Sequence, residues 1–234
     1  MNVLIVHAHP EPQSFCTAMM KRMQNRFEEQ GHAVTVSDLY AKQFNPVASA
    51  ADFAERSNPD YLVYALEQRH AQKTNTLPAD IATELELLKQ CDLLILNFPL
   101  YWFSVPAILK GWIDRVFLSG VVYGGRNFYD RGLMKGKKAW LTFTLGGREH
   151  MFGDHAVHGD LNTMLRPVLR GSLGYAGFDV LEPFAAYHVP YITQEARVDM
   201  LEQLDRAVDT LASRALVSYP SLNNFDAQMN PLEQ

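Results

Sequence analysis

The chain has 234 residues, 47% hydrophobic and 20% charged, which suits one α/β domain with a substantial core. Its formal net charge of −5, with no visible Lys/Arg cluster, argues against a phosphate-backbone binder, so no nucleic-acid partner is expected. No apolar run approaches the ~18 residues of a membrane span, and the N-terminal Met-Asn-Val-Leu-Ile-Val-His lacks the basic lead and cleavage site of a leader. Cys16 and Cys91 fit neither a disulfide framework nor a metal-site spacing, and the whole reads as a cytoplasmic protein in a reducing compartment.

Five short apolar runs recur, each followed by a helical pattern. Residues 3–8 form the first strand, and a helix opens near Ser14 and runs to about Gln30, where Gly31 ends it. Residues 32–39, with Val34, Thr35 and Val36, form the second strand. The run 92–98 is almost continuously apolar, as a central strand covered on both faces requires. A helix over 106–117 puts Ile108, Trp112, Ile113 and Val116 on one face. Residues 138–144 form the fourth strand, and a helix over 161–173 is interrupted or shifted at Pro167. Gly177 introduces a fifth strand over 178–182, and Thr193 starts a last amphipathic helix through Leu201, Leu204, Val208 and Leu211. Strict alternation of this kind predicts a doubly wound five-stranded parallel sheet with helices on both faces. Residues 1–214 read as one domain, from which 41–78 is too long for an ordinary connection and is expected to be a functional or partner-contacting excursion. The turn-rich tail, 215–234, is expected to lie across the domain or a second subunit.

Ligands of open α/β sheets bind beyond the C-terminal ends of the strands, so those segments carry the chemistry. After the first strand stands His9-Pro10-Glu11-Pro12-Gln13-Ser14-Phe15-Cys16, which is not the three-glycine dinucleotide turn. Ser14 either simply caps the following helix or joins the helix N-terminus in holding a phosphate. After the third strand, Tyr101-Trp102-Phe103 cannot all enter one core; they cap the domain under a loop or offer a flat platform to an aromatic ring. After the fourth, Thr144-Leu145-Gly146-Gly147 is either a plain turn or a place where backbone amides approach a ligand. The next loop carries His150, His155 and His158 among Asp154 and Asp160, a spacing that matches no zinc pattern, so no metal is expected. His150 and His155 read as surface residues, whereas a histidine beside an electron-accepting ring could donate a proton.

Taken together, residues 9–19, Ser37-Asp38-Leu39-Tyr40 with Phe44-Asn45-Pro46, the long string 98–117, residues 144–147, His158-Gly159-Asp160 and 177–183 resemble the NAD(P)H:quinone oxidoreductases of the DT-diaphorase type. They occur in family order and cover nearly the whole chain to about residue 200. The resemblance implies a flavodoxin-like fold and a homodimer with two shared sites, each holding a non-covalent flavin, FAD in preference to FMN. It assigns the pyrophosphate to His9, Ser14, Phe15 and Cys16, and the isoalloxazine to Pro99, Leu100, Tyr101, Trp102 and Phe103. Thr144, Leu145, Gly146 and Gly147 would follow the flavin's polar edge near Phe152, and Arg197 would reach the adenine end. A slot for nicotinamide and quinone would lie among Trp102, Phe103, Tyr123, Gly125, Tyr175 and His158. The implied activity is ping-pong: hydride passes from NAD(P)H to the flavin and on to a quinone or similar acceptor, with His158 as the catalytic residue. Three positions depart from the family pattern: Phe152 replaces a tyrosine, Cys16 an asparagine and Gly125 a tyrosine at the pocket mouth. Related oxidoreductases also act as ancillary subunits of potassium-efflux systems, where the partner is a membrane transporter, or reduce azo and nitro compounds. A one-electron carrier is disfavoured, since it needs neither the aromatic platform nor the histidine.

Overall fold

The computed structural model describes residues 1–232 and forms five parallel strands from the apolar runs. β1 (Asn2–His7), β2 (Ala33–Asp38), β3 (Leu93–Pro99), β4 (Lys138–Thr144) and β5 (Asp179–Ala186) lie in the order β2-β1-β3-β4-β5. A strand covered on both faces must be apolar on both, and β3 is buried at all seven positions. Strand order reverses between β1 and β3, and that switch point opens a crevice beyond their C-terminal ends. The doubly wound α/β architecture expected from the alternation is the one observed.

Between the strands run α1 (Phe15–Glu29), α2 (Tyr64–Thr74), α3 (Ala79–Gln90), α4 (Ala107–Val116), α5 (Leu161–Met164), α6 (Arg166–Val168) and α7 (Gln194–Asp209). In α1, Met19, Met20, Met23 and Phe27 recur at helical spacing and are buried against the sheet beside Leu204 and Val208 of α7. The opposite face is covered by α3, α4 and the 165–173 segment, with Leu85, Leu109, Trp112 and Leu173 in one core cluster.

Four elements differ from the sequence reading. Helix α3 was not anticipated; its inward positions include Glu84, which breaks the apolar stripe and yet is 2% exposed. That carboxylate accepts from the Trp112 indole N–H (2.8 Å), the Ser37 hydroxyl (2.8 Å) and the Lys42 ammonium (2.6 Å), so its burial is compensated. The single helix expected over 161–173 is three pieces, α5, α6 and a π-helical stretch Leu169–Gly174, with Pro167 in the first turn of α6. Strand β5 continues past residue 182 to Ala186, carrying Pro183 through a register shift opposite Trp140–Thr142. An edge strand accommodates proline at such an irregularity, and the Trp140 indole donates to the Glu182 carbonyl there at 3.1 Å. The last helix ends at Asp209, ahead of a 3-10 turn at Leu211–Ser213.

The 41–78 excursion holds a 3-10 turn, Ala50–Asp52, and α2, and a buried arginine ties it to the domain. Arg115 of α4 bridges Asp52 at 2.7 Å and Asp80 at 2.6 Å and donates to the Asn45 carbonyl at 2.8 Å. The Arg115 and Asp52 side chains are 3% and 4% exposed, and the Tyr64 hydroxyl completes the group by donating to Asp52 at 2.6 Å. Burial raises the Asp52 carboxyl, but the hydrogen bonds from Arg115 and Tyr64 outweigh it and hold the group below the usual aspartate range. Close docking also needs Gly111 on α4, where a Cβ would sit 2.2 Å from the Pro46 carbonyl oxygen.

The tail crosses the free edge of β5. The amide of Glu182 donates to the Ala215 carbonyl (2.9 Å) and that of Val217 to the Val180 carbonyl (2.8 Å), with Leu216 antiparallel to Leu181. Further on, the Ser221 hydroxyl donates to Asp130 at 2.6 Å and anchors the tail to the 129–131 turn.

Arg115→Ala leaves two carboxylates without their buried counter-charge and is expected to cost about 3–5 kcal/mol of unfolding free energy. Lys110→Ala breaks only the exposed pair with Asp114 and should stay within about 0.5 kcal/mol of the parent. Urea unfolding of both variants checks the contrast.

Candidate functional site

Beneath the crevice lies a chain of buried polar groups. Asn97 on β3 donates through Nδ2 to the Thr142 hydroxyl of β4 (3.0 Å), which turns its Oδ1 toward His7 Nδ1 of β1 at 2.7 Å. With that carboxamide orientation, His7 Nδ1–H donates to Asn97, and Nε2 faces the Thr17 hydroxyl at 3.1 Å, whose single proton is shared between this nitrogen and the Glu11 carbonyl, also at 3.1 Å. Thr17 continues to the Ser14 hydroxyl (2.9 Å), whose oxygen also accepts the Thr17 amide at 3.1 Å and so caps α1. Burial lowers the His7 pKa, which keeps the imidazole in the neutral state this network needs. His7, Thr17, Asn97 and Thr142 were not singled out in the sequence; polar residues inside apolar strand runs at the switch point were the available signal.

Above this chain, the loop after β1 presents open donors. Neither the Phe15 nor the Cys16 amide has an acceptor among the described residues, as expected of the first turn of a helix. His9 Nδ1 accepts the Glu11 amide at 3.0 Å, so its Nε2 carries the free N–H, and burial lowers its pKa. The Cys16 thiol is 1% exposed, and burial pushes its pKa up to about 12 despite a hydrogen bond with Thr144. Cys16 therefore offers the site an amide rather than a reactive thiolate.

Two adjoining cavities open here. One of about 270 Å³ is lined by His9, Cys16, Pro99, Leu100, Tyr101 and Leu145, together with Ser14, Phe15, Thr144 and Gly146. The second, of about 470 Å³, is walled by Gln13, Ala18, Gln194, Arg197 and Leu201. They share Ser14, Phe15, Val189 and Pro190. The β5–α7 loop supplying Val189 and Pro190 escaped the sequence reading because β5 runs four residues further than its apolar pattern. Arg197 donates to the Val189 carbonyl at 3.0 Å and fixes this rim.

At the end of β3 the chain makes a two-residue hairpin, with Tyr101 and Ser104 exchanging backbone bonds at 3.0 Å. Trp102 and Phe103 both take positive φ, 50° and 59°, the pairing of a type I′ turn and a strained one for side chains of this size. The turn keeps all three aromatics out of the core: Tyr101, Trp102 and Phe103 are 45%, 96% and 42% exposed. Phe103 and Phe152 flank His158 at centroid distances of 5.4 and 5.0 Å. Phe152 lies over Gly147, where a Cβ would meet its ring at 2.7 Å, so a side chain there would have to push the ring aside. His188 pins the turn by donating from Nδ1 to the Gly146 carbonyl (2.9 Å) and from its amide to the Gly147 carbonyl (2.9 Å). The amides of Gly146 and Gly147 have no acceptor among the described residues.

Not every expected residue joins this group. Tyr123 and Tyr175 pack on each other at 5.8 Å, and Tyr175 stacks on Phe128 at 5.4 Å. This second aromatic cluster makes no ring contact with Phe103, Phe152 or His158 among the described residues, and Gly125 lines a separate cavity.

A five-stranded parallel sheet with open helix-terminal amides and paired cavities at its switch point defines an α/β protein of the flavodoxin-like class. A family model described as a flavodoxin-like fold matches residues 1–208, and the chain belongs to that family, in its NAD(P)H dehydrogenase (quinone) branch. It is 44% identical over 200 residues to the ribosyldihydronicotinamide dehydrogenase [quinone] of Mus musculus, covering 85% of this chain and 87% of that protein. It is 39% identical over 224 residues to NAD(P)H dehydrogenase [quinone] 1 of Rattus norvegicus, covering 95% and 82%. A crystal structure of a candidate quinone reductase from Klebsiella pneumoniae superposes with a TM-score of 0.91 at 31% identity, covering 99% and 93%.

The neutral His7 gives a pH signature. Its native pKa lies below the ordinary 6.5, so the unfolded chain binds more protons between the two values. Stability should therefore rise with pH through that window and level off above it. His7→Gln should lower stability most at about pH 8 and flatten the acid-side slope, so that the gap to the parent narrows toward about pH 5. Denaturation midpoints across that range test it.

Proposed function

We propose that this chain is a flavin-dependent NAD(P)H:quinone oxidoreductase that works as a homodimer. The observation that carries the proposal is the pair of adjoining cavities sharing Ser14, Phe15, Val189 and Pro190. One is bounded by strand-end loops and the other by the first turn of α7, an extended shape suited to FAD, with the adenosine against Arg197 and the riboflavin part beyond β3 and β4. Bound there, the flavin supplies the relay of hydride from NAD(P)H to a quinone. The free Phe15 and Cys16 amides at the start of α1 would hold the pyrophosphate, with the Ser14 hydroxyl beside them. The unpaired amides of Gly146 and Gly147 would donate to the polar edge of the ring and stabilise charge arising there. His158, an imidazole held between two phenyl rings, would keep or deliver a proton at the same edge.

The separation of the aromatic clusters supports the dimer. A slot that uses Phe103 and His158 together with Tyr123 and Tyr175 would take its other wall from a second copy. Trp102, 96% exposed, and Tyr61 and Leu66 of the excursion, 70% and 51% exposed, are the apolar surface such a copy would cover.

The purified protein is expected to be yellow and dimeric by light scattering, and to release FAD on denaturation. FMN in the extract would remove the adenosine from the larger cavity, and a colourless protein that cannot be reconstituted would overturn the flavoenzyme assignment. In stopped-flow reduction by NAD(P)H, His158→Ala should be roughly 10- to 100-fold slower. Phe152→Tyr adds a phenol beside His158 and should be neutral or faster.

A further inference from the structure

A third cavity, of about 330 Å³, lies between α2 and the loop after α4. Its walls include Arg69 and Lys73 of α2 and Ser119, Gly120, Gly124 and Asn127 of the loop, and no acidic side chain lines it. Arg69 is built into place. Its Nε donates to the Ser119 hydroxyl at 2.7 Å, and Ser119 is 1% exposed. The aliphatic stem runs over Gly120, where a Cβ would come 3.4 Å from Cγ, and the head lies over Gly124, where a Cβ would come 3.5 Å from Nη2. Both glycines have positive φ, 92° and 154°, so the loop backbone is shaped to receive the arginine. The neighbouring Gln68 braces the same contact, donating to the last carbonyls of α4, those of Asp114 and Arg115, at 3.4 Å.

This order is spent on an arginine whose terminal nitrogens have no acceptor among the described residues. Lys73 stands four residues further along the same helix, and like charges at that spacing repel. Two cations on one wall, without a counter-charge, in a protein of net charge −5, suit a ligand that brings its own anion. A guanidinium anchored through Nε keeps its outer edge for bidentate contact with phosphate oxygens. The Gly125 amide, also without an acceptor among the described residues, adds a donor on the facing wall.

We propose that this cavity is a phosphate subsite for the hydride donor, with Arg69 as its principal ligand and Lys73 as the second charge. The assignment to the donor rests on the oxidoreductase function proposed above, through Tyr123, which directly precedes Gly124 and Gly125 and belongs to the expected nicotinamide slot. The phosphate has two sources, the pyrophosphate common to NADH and NADPH and the extra ribose phosphate of NADPH alone.

The test compares Arg69→Gln with the parent holoenzyme, using NADH, NADPH and phosphate-free dihydronicotinamide riboside with one quinone. The KM for NADPH should rise roughly tenfold or more, the loss of a charge-assisted bond, while the riboside kinetics stay at the parent level. An equal rise with NADH identifies the pyrophosphate, and a rise with NADPH alone the ribose phosphate; either supports the subsite. Unchanged KM for both nucleotides, or an equal loss with the riboside, overturns it. Should no donor reduce the parent protein, the quinone-reductase function fails on its own, and calorimetric titration with inorganic pyrophosphate decides the cavity. Binding by the parent that is lost in Arg69→Gln then supports a phosphate site, and no binding by the parent refutes one.

Discussion

Asn97 sits where three strands and a helix must agree on their relative heights. Its carboxamide reaches β1 through His7, β4 through Thr142 and, through the Cys16 thiol at 3.4 Å, the first turn of α1. A buried polar chain tolerates little displacement, because each lost bond leaves a desolvated group unpaired. The ends of β1, β3 and β4, and the capped start of α1, are therefore held in one register before any ligand arrives. The cavities above inherit that rigidity.

The outer surroundings of the crevice use a different device, backbone shape. Trp102 and Phe103 occupy conformations that glycine adopts far more readily, and the hydrogen-bonded pair Tyr101–Ser104 holds them there. Gly147 and Gly111 do the reverse, staying small so that a phenyl ring in one case and a proline in the other can lie against the backbone. Strain at the aromatic turn is accepted where it exposes rings, and side chains are deleted where contact must be close.

The sequence made the strands and the strand-end segments legible because a parallel sheet forces long apolar runs, and its connections fall at predictable places. β3 is the clear case, with seven residues buried on both faces and no polar alternation to blur it. Helix α3 was obscured because a buried Glu84 looks like a surface residue until Ser37, Lys42 and Trp112 are seen to satisfy it from 47, 42 and 28 residues away. Tertiary compensation of that kind leaves no trace in local pattern. The same holds for His7, which reads as the polar end of a strand and proves to be the link between sheet and helix. Val189 and Pro190 were hidden by an error of strand length, since Pro183 suggests an ending where an edge strand absorbs it in a shifted register.

The antiparallel contact between Leu216 and Leu181 has a consequence for how this molecule lives among its copies. A sheet of five strands has two margins, and an uncovered margin invites any passing strand to continue the ladder. On the β5 side, the chain's own final segment occupies part of that margin and is fastened beyond it by Ser221 to Asp130. Where the tail covers β5, continuous growth from sheet to sheet is blocked by a piece of the same polypeptide. Among the described residues the other margin, β2, pairs only with β1, so it is the side on which a further strand could still add.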